Sequence, residues 1–297
     1  MNTIVIDNGY FSTIGYNPSK IFSIRSKYQS SDFPISFNNT YHITFDKSYL
    51  VGEGAEQIDI NLNKSNSKLH LLTTLTILGL FNCSTYNLVV NIPLNFYNKQ
   101  NKQNIESQLT SKVFQFSLNS QSKNIYIDQC VAFPQSLPII YCNKIDFSHV
   151  AIVDIGGLTA QGCIVENNNL VFSSIFTDNL GTLILYEKIK KVLNSQYNIN
   201  MKDYEMQDII SNGLLFDKSN SLKLIDSICL SHVQEIVTKI KLTGWNVDNL
   251  FFIFTGGGSI LLEKYINNFF KNYHLSNNPE KDNVFGLWEV AKHVYKV

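Results

Sequence analysis

A chain of 297 residues with 44% apolar content is longer than one hydrophobic core usually serves, so two domains are expected. Lysine plus arginine equals aspartate plus glutamate at 24 each, and zero net charge excludes the basic footprint of a direct nucleic-acid or anionic-membrane binder while permitting self-association. Five dispersed cysteines with no C-x-x-C pair, no leader-like start and no apolar run of about 18 residues point away from disulfides, structural zinc and membrane spans, toward a soluble cytoplasmic protein.

Three short strand-like runs open the chain, "TIVID", "FSTIGY" and "KIFSIRS", separated by turn residues, and predict an antiparallel meander. The polar, broken stretch that follows reads as a small inserted lobe near 37–65. In "SKLHLLTTLTILGLF", Leu69, Leu72, Leu75 and Leu78 fall three apart along one side of a helix. "NLVVNIPL" is a continuous apolar run closed by Pro93, the pattern of a strand covered on both faces. A polar segment that reads as surface helix or loop, "KQNKQNIESQLTSK", leads to two further strands, "VFQFSL" and "NIYIDQCVAF".

A second meander begins at "HVAIVDIGG" and continues through "TAQGCIVE" and "LVFSSIF". A helix starts beside Gly181-Thr182, and the region near 200–245 reads as helical. "NLFFIFTGGG" is another buried strand, and two helices, "SILLEKYINNFF" and "FGLWEVAKHVYK", close the chain. Strands alternating with helices argue for an α/β protein.

The two meanders share a design in which an apolar strand ends in Asp-x-Gly, turns, and becomes strand again. The aspartates, Asp7 and Asp154, stand about half the chain apart. Glycine lets the backbone approach a ligand, and successive turn N–H groups form an anion-binding concavity. A carboxylate beside phosphate calls for an intervening cation, and Mg²⁺, which keeps several waters, suits that role. One such loop alone is usually only a hairpin turn; two in matching contexts favour a ligand. A third cluster, Thr255, Gly256, Gly257 and Gly258, ends a buried strand before a helix, where a ring or phosphate can lie on the backbone.

In order and spacing, these three motifs resemble the actin, Hsp70 and sugar-kinase superfamily. Within it the chain is most similar to the bacterial actin-like plasmid-segregation proteins of the ParM, StbA and AlfA type. "VIDNGYFSTIGY", "LVVNIPLNFY", "AFPQSLPIIY" and "DNVFGLWEVAKHVY" carry that resemblance, which covers nearly the whole chain.

The resemblance implies an α/β, actin-like (ribonuclease H-like) two-domain fold with a nucleotide cleft between the domains and two small inserted lobes. Domain I would span 1–148, with the insert near 37–65 and the closing helix 281–297 returning to it. Domain II would span 149–280, with a helical insert near 200–245. It further implies ATP, with GTP as the alternative, and Mg²⁺ organised through water by Asp7 and Asp154. Asn8, Gly9, Tyr10, Phe11 and Ser12, with Gly156, Gly157, Leu158 and Thr159, would hold phosphates. Gly181, Thr182, Thr255, Gly256, Gly257 and Gly258 would border the nucleoside, and Gln135 would orient the attacking water, positioning rather than deprotonating it.

The implied protein is a filament-forming ATPase whose partners are copies of itself and a DNA-binding adaptor, acting in plasmid DNA segregation. It would touch neither nucleic acid directly nor a membrane. The alternatives are a small-molecule kinase of the same superfamily, of pantothenate or sugar kinase type, and a non-hydrolysing nucleotide switch. One departure bears on both. Where the family places a phosphate-contacting lysine seven residues after the first aspartate, this chain has Ile14, and Lys20 is the nearest cation downstream. His70, Trp245 and Trp288 read as packing residues, and Lys188, Lys190 and Lys191 as a solvated helix face.

Overall fold

Alternation along the first strand shows how the first sheet is built. In this computed structural model residues 2–33, 38–58, 67–143 and 148–297 are described, and residue 37 and residues 59–65 of the expected insert lie outside them. The chain divides into two units, Met1–Phe147 with Glu280–Val297, and Ser148–Pro279. In the first unit, β1 (Asn2–Asn8), β2 (Ser12–Asn17) and β3 (Lys20–Arg25) form the antiparallel meander read from the sequence. β4 (Tyr28–Ser30), β5 (Thr40–Thr44) and β6 (Ser48–Gly52) precede the first helix, α1 (Lys68–Phe81).

β7 (Thr85–Ile92) then pairs parallel to β1. α2 (Lys99–Leu109) leads to β8 (Lys112–Leu118), β9 (Gln121–Pro134) and the short α3 (Ile139–Cys142). β9 runs parallel to β7. Among the described residues the sheet order is β3-β2-β1-β7-β9-β8-β5-β6-β4, so β5 and β6, the described part of the expected insert, extend the same sheet.

Both faces of β1 are covered, and successive side chains point to opposite sides. Ile4 and Ile6 join Leu72, Leu75 and Leu78 of α1 in one cluster. Val5 joins a second cluster with Ile14, Val89, Val284, Leu287, Val290 and Ala291. The last four lie on the chain's final helix, α8 (Asp282–Tyr295), which belongs to this first unit. Tyr295 ties its end down, donating to the Leu88 carbonyl at 2.6 Å.

α1 begins at Ser67, whose hydroxyl accepts from the His70 N–H, and stops at Asn82 in the left-handed conformation. Its leucine stripe is buried as expected, but the opposite side is buried too, including Thr73, Thr74, Thr76 and Ile77. The Thr73 and Thr76 hydroxyls donate to the helix's own carbonyls, of His70 and Leu72, which makes that burial tolerable.

The second unit repeats the plan. β10 (His149–Ile155), β11 (Ala160–Glu166) and β12 (Asn169–Asp178) form an antiparallel meander. α4 (Thr182–Tyr197), α5 (Met206–Asn212) and α6 (Lys218–Leu242) follow. β13 (Phe251–Thr255) then pairs parallel to β10, as β7 does to β1. α7 (Gly257–Ile266) leads to β14 (Tyr273–Leu275) at the sheet edge. The core gathers Leu185, Ile189, Ile225, Val233, Phe252 and Phe254. Trp245 anchors it, with Nε1 donating to the Ser174 carbonyl at 3.0 Å. Among the described residues no helix is long and apolar enough to cross a membrane.

His232 of α6 is fully buried, its Nε2 lying 3.0 Å from the Leu180 carbonyl and its Nδ1 3.3 Å from Lys188 Nζ. These partners fit a neutral ring that donates through Nε2 and accepts through Nδ1. Burial first, then the Lys188 charge, pushes its pKa down to about 4 from the ordinary 6.5. The unfolded chain therefore binds a proton here that the folded chain refuses, so stability falls as pH drops from about 6.5 to about 4. Melting temperatures across that window are expected to fall more steeply for the wild type than for His232→Gln; equal slopes would count against this assignment.

Candidate nucleotide-binding loops

In the first unit, β1, β7 and β9 are adjacent parallel strands, with Ile6 opposite Val90 and Ile92 opposite Pro134. Their carboxyl ends therefore lie along one edge, where ligands of open α/β sheets bind. Asp7 is the penultimate residue of β1 and is 8% exposed. Its carboxylate accepts from the side-chain amide of Asn91, on β7, whose own oxygen accepts from the Asn8 N–H at 3.0 Å. One buried asparagine on the neighbouring strand thus fixes both the carboxylate and the start of the turn. Thr74 of α1 adds a donor to the Asn8 side chain at 3.4 Å.

The turn itself is held from behind. Ser26 donates its hydroxyl to the Gly9 carbonyl at 2.6 Å and its N–H to the Phe11 carbonyl at 3.0 Å. The N–H groups of Gly9 and Phe11 donate to no acceptor among the described residues. Carbonyls bound on one side with amides left over are the makings of an anion cradle. A side chain at position 9 would press on the Ser12 carbonyl, 2.5 Å from where its Cβ would stand. The Tyr10 ring is buried and meets His70 edge-on at 6.1 Å.

Gln135 follows the end of β9, and its N–H donates to the Ile92 carbonyl at 2.7 Å. The next residue, Ser136, has φ +68° and donates its N–H to the side chain of Asn283 in α8 at 2.9 Å. The register puts Asp7 level with Phe133, two strands away, so at about 4.8 Å per strand and about 3.3 Å per residue the backbones of Asp7 and Gln135 stand about 12 Å apart on the same edge.

Ile14 pairs with Asp7 in the strand register and is buried beneath α8 with Val5 and Val89, an environment hostile to a lysine. The sequence reading found no local replacement nearer than Lys20. Lys20 is exposed and pairs with Asn17 at the far end of its hairpin. The same hairpin folds Arg25 back opposite Ser12, with its guanidinium carbon 3.3 Å from the Phe11 ring centroid. A cation therefore does stand at the loop, delivered by pairing rather than by proximity in sequence.

In the second unit Asp154, 2% exposed, pairs with Thr255 at the carboxyl ends of β10 and β13. Gly156 donates its N–H to the Thr159 carbonyl at 2.9 Å, closing the turn. The other three carbonyls of the turn serve the start of α4: Gly156 O accepts from Thr182 at 2.9 Å, Gly157 O from Leu183 at 2.8 Å, and Leu158 O from Gly181 at 3.0 Å. The N–H groups of Gly157, Leu158 and Thr159 donate to no acceptor among the described residues. The two loops are thus alike in polarity, with carbonyls engaged and amides left over.

Two of the three glycines at 256–258 have a steric cause that the sequence did not reveal. Gly256 has φ +81°, and a Cβ there would collide with Asp154 Oδ1. A Cβ at position 258 would collide with Ile155 and crowd Thr182. Gly181 likewise presses on the Gly157 backbone. Close packing around Asp154 therefore accounts for these glycines without a ligand, while bringing Asp154, Gly156–Thr159, Gly181, Thr182 and Thr255–Gly258 together in one unit.

Among the described residues no cluster of three or more His, Cys, Asp or Glu side chains is arranged to hold a metal. A magnesium ion carried by phosphate oxygens and water, steadied by single carboxylates, needs no such cluster. Buried Asp7 and Asp154 beside spare amides fit a magnesium-bound polyphosphate in their chemistry.

Residues 5–137 match the family model described as the N-terminal domain of actin-like proteins. The chain is similar in structure to the archaeal actin homologue Ta0583, with a TM-score of 0.86 at 14% identity over 99% of both chains. The ADP complex of that homologue matches at 0.83 and 14%, over 99% of this chain and 100% of the other. A subunit of a 15-stranded ParM filament from Clostridium botulinum matches at 0.78 and 22%, over 99% and 100%. AlfA from a B. subtilis plasmid, also seen as a filament, matches at 0.69 and 17%, over 97% and 98%. No curated protein sequence matches. The fold is that of the actin homologues, two α/β units each built on a meander extended by a parallel strand. The fold is therefore actin-like, and the structures similar to it include subunits of ParM and AlfA filaments.

Asn91 escaped the sequence reading, although an amide inside "VVNIP" was a visible signal. Replacing it with leucine removes a donor from a buried carboxylate and is expected to cost about 2–3 kcal/mol of unfolding free energy. In an Asp7→Ala background most of that cost should vanish. A double-mutant cycle by urea unfolding checks this, and an unchanged cost in both backgrounds would refute the coupling.

Proposed function

We propose that this chain is a nucleotide-driven, filament-forming actin homologue that binds ATP with Mg²⁺, hydrolyses it, and assembles with copies of itself. The observation that carries this reading is the duplicated loop. Each unit carries a buried aspartate near the end of the first strand of its meander and follows it with a turn whose carbonyls are engaged and whose amides are left over. The ADP complex of one structural relative and the filaments of others support the same reading.

In this account Asn8–Ser12 and Gly156–Thr159 hold the phosphates of one nucleotide through main-chain N–H groups. Asp7 and Asp154 orient the water shell of its magnesium, which when bound neutralises phosphate charge. Thr255–Gly258, with Gly181 and Thr182 behind them, border the nucleoside. Gln135, anchored by Ile92 and indirectly by Asn283, positions the attacking water; an amide is a poor base, so its contribution is orientation. Zero net charge agrees with reaching plasmid DNA in the cytoplasm through a DNA-binding adaptor rather than directly.

The test is sedimentation and phosphate release on one sample. With Mg²⁺-ATP the wild type is expected to pellet above a threshold protein concentration and to release phosphate. Gln135→Ala should still pellet while releasing phosphate about 10²-fold more slowly. ATP consumption that requires a small-molecule acceptor, without pelleting, would replace this reading with a kinase. Nucleotide-dependent pelleting with no phosphate release would make the chain a switch, and a preference for GTP would change the cofactor alone.

A further inference from the structure

The sequence contains a single arginine, Arg25, and the fold brings it to the first phosphate loop. It ends β3, directly opposite Ser12 in the β2–β3 register, one residue before the serine that holds the Gly9 and Phe11 carbonyls. Its guanidinium lies on the Phe11 ring, and Glu53 approaches its Nε at 3.8 Å. The side chain is only 18% exposed, so it is held in place rather than waving in solvent. At the position where a loop cation is implied by resemblance, Ile14 instead fills an apolar cluster under α8.

These observations fit together chemically. A loop that grips polyphosphate while carrying the Asp7 carboxylate gathers negative charge, and main-chain amides offset only part of it. A guanidinium stacked on an aromatic face is a planar fork whose geometry matches phosphate oxygens, which an ammonium's does not. Glu53 stands on the Nε side at ion-pair distance, 3.8 Å, beyond hydrogen-bond reach. The stack also couples the cation to the loop itself, because Phe11 is one of the loop residues.

We infer that Arg25 is the phosphate-binding cation of the first loop, reaching the polyphosphate of a bound nucleotide from β3 and positioned by Phe11 and Glu53. This rests on the nucleotide-binding reading above. A role confined to clamping the loop predicts different behaviour, because a clamp does not distinguish a ligand with phosphates from one without.

The experiment measures binding of ATP and of adenosine, each with Mg²⁺, to the wild type, Arg25→Ala, Arg25→Gln and Arg25→Lys. Circular dichroism and thermal melting identify variants that fail to fold; Arg25→Gln, neutral and of similar length, is the control if the alanine variant does. ATP affinity is expected to fall about 10–100-fold in Arg25→Ala and Arg25→Gln and to recover in part in Arg25→Lys, with adenosine affinity unchanged. The salt dependence of ATP binding should also become shallower when the charge is lost. Equal ATP affinity in wild type and Arg25→Gln, or equal losses for ATP and adenosine, would overturn the assignment. A wild type that binds neither ligand would overturn the nucleotide-binding reading itself.

Discussion

Burying a carboxylate at the tip of a parallel strand is costly unless the surrounding chain satisfies it. This chain does so twice, at Asp7 and at Asp154, and much of the local architecture answers to that constraint. Around Asp7 the answer is polar: Asn91 donates to the carboxylate and simultaneously accepts from the turn. Around Asp154 the chain makes room, with Gly256 at a positive φ and no Cβ to press on the carboxylate. In both units the strand pairing comes first, since only parallel neighbours place Asn91 beside Asp7 and Thr255 beside Asp154.

The polarity of the loops follows from how they are braced. Ser26 takes the carbonyls of the first turn, and the start of α4 takes those of the second. What each turn then has left to offer is N–H, the donor set of an anion cradle. Position 14 serves packing, where Ile14 helps seat α8, the helix that in turn holds the segment after Gln135 through Asn283. Binding chemistry and core packing are therefore linked through one strand pair, β1 with β2.

Much of this was readable in the chain. Asp-x-Gly after an apolar run, repeated about half the chain apart, located both loops, and turn residues marked both meanders. The leucine stripe located α1, although not its full burial, because threonines that satisfy their own hydroxyls leave no apolar signature. Pairwise relations across the sheet were not readable. Asn91 meets Asp7, and Arg25 meets Phe11, only through register, which composition and periodicity do not specify. The glycines at 256 and 258 were visible, but the cause now seen for them, the proximity of Asp154 and Ile155, requires β13 to lie against β10.

The central claim is that both acidic loops serve a single nucleotide, and calorimetric titration of the purified chain with Mg²⁺-ATP tests it most directly. The account requires one site per chain, with affinity that depends on magnesium and is sharply weakened by Asp7→Asn and by Asp154→Asn alike. Two independent sites, or undiminished binding after either substitution, would contradict it.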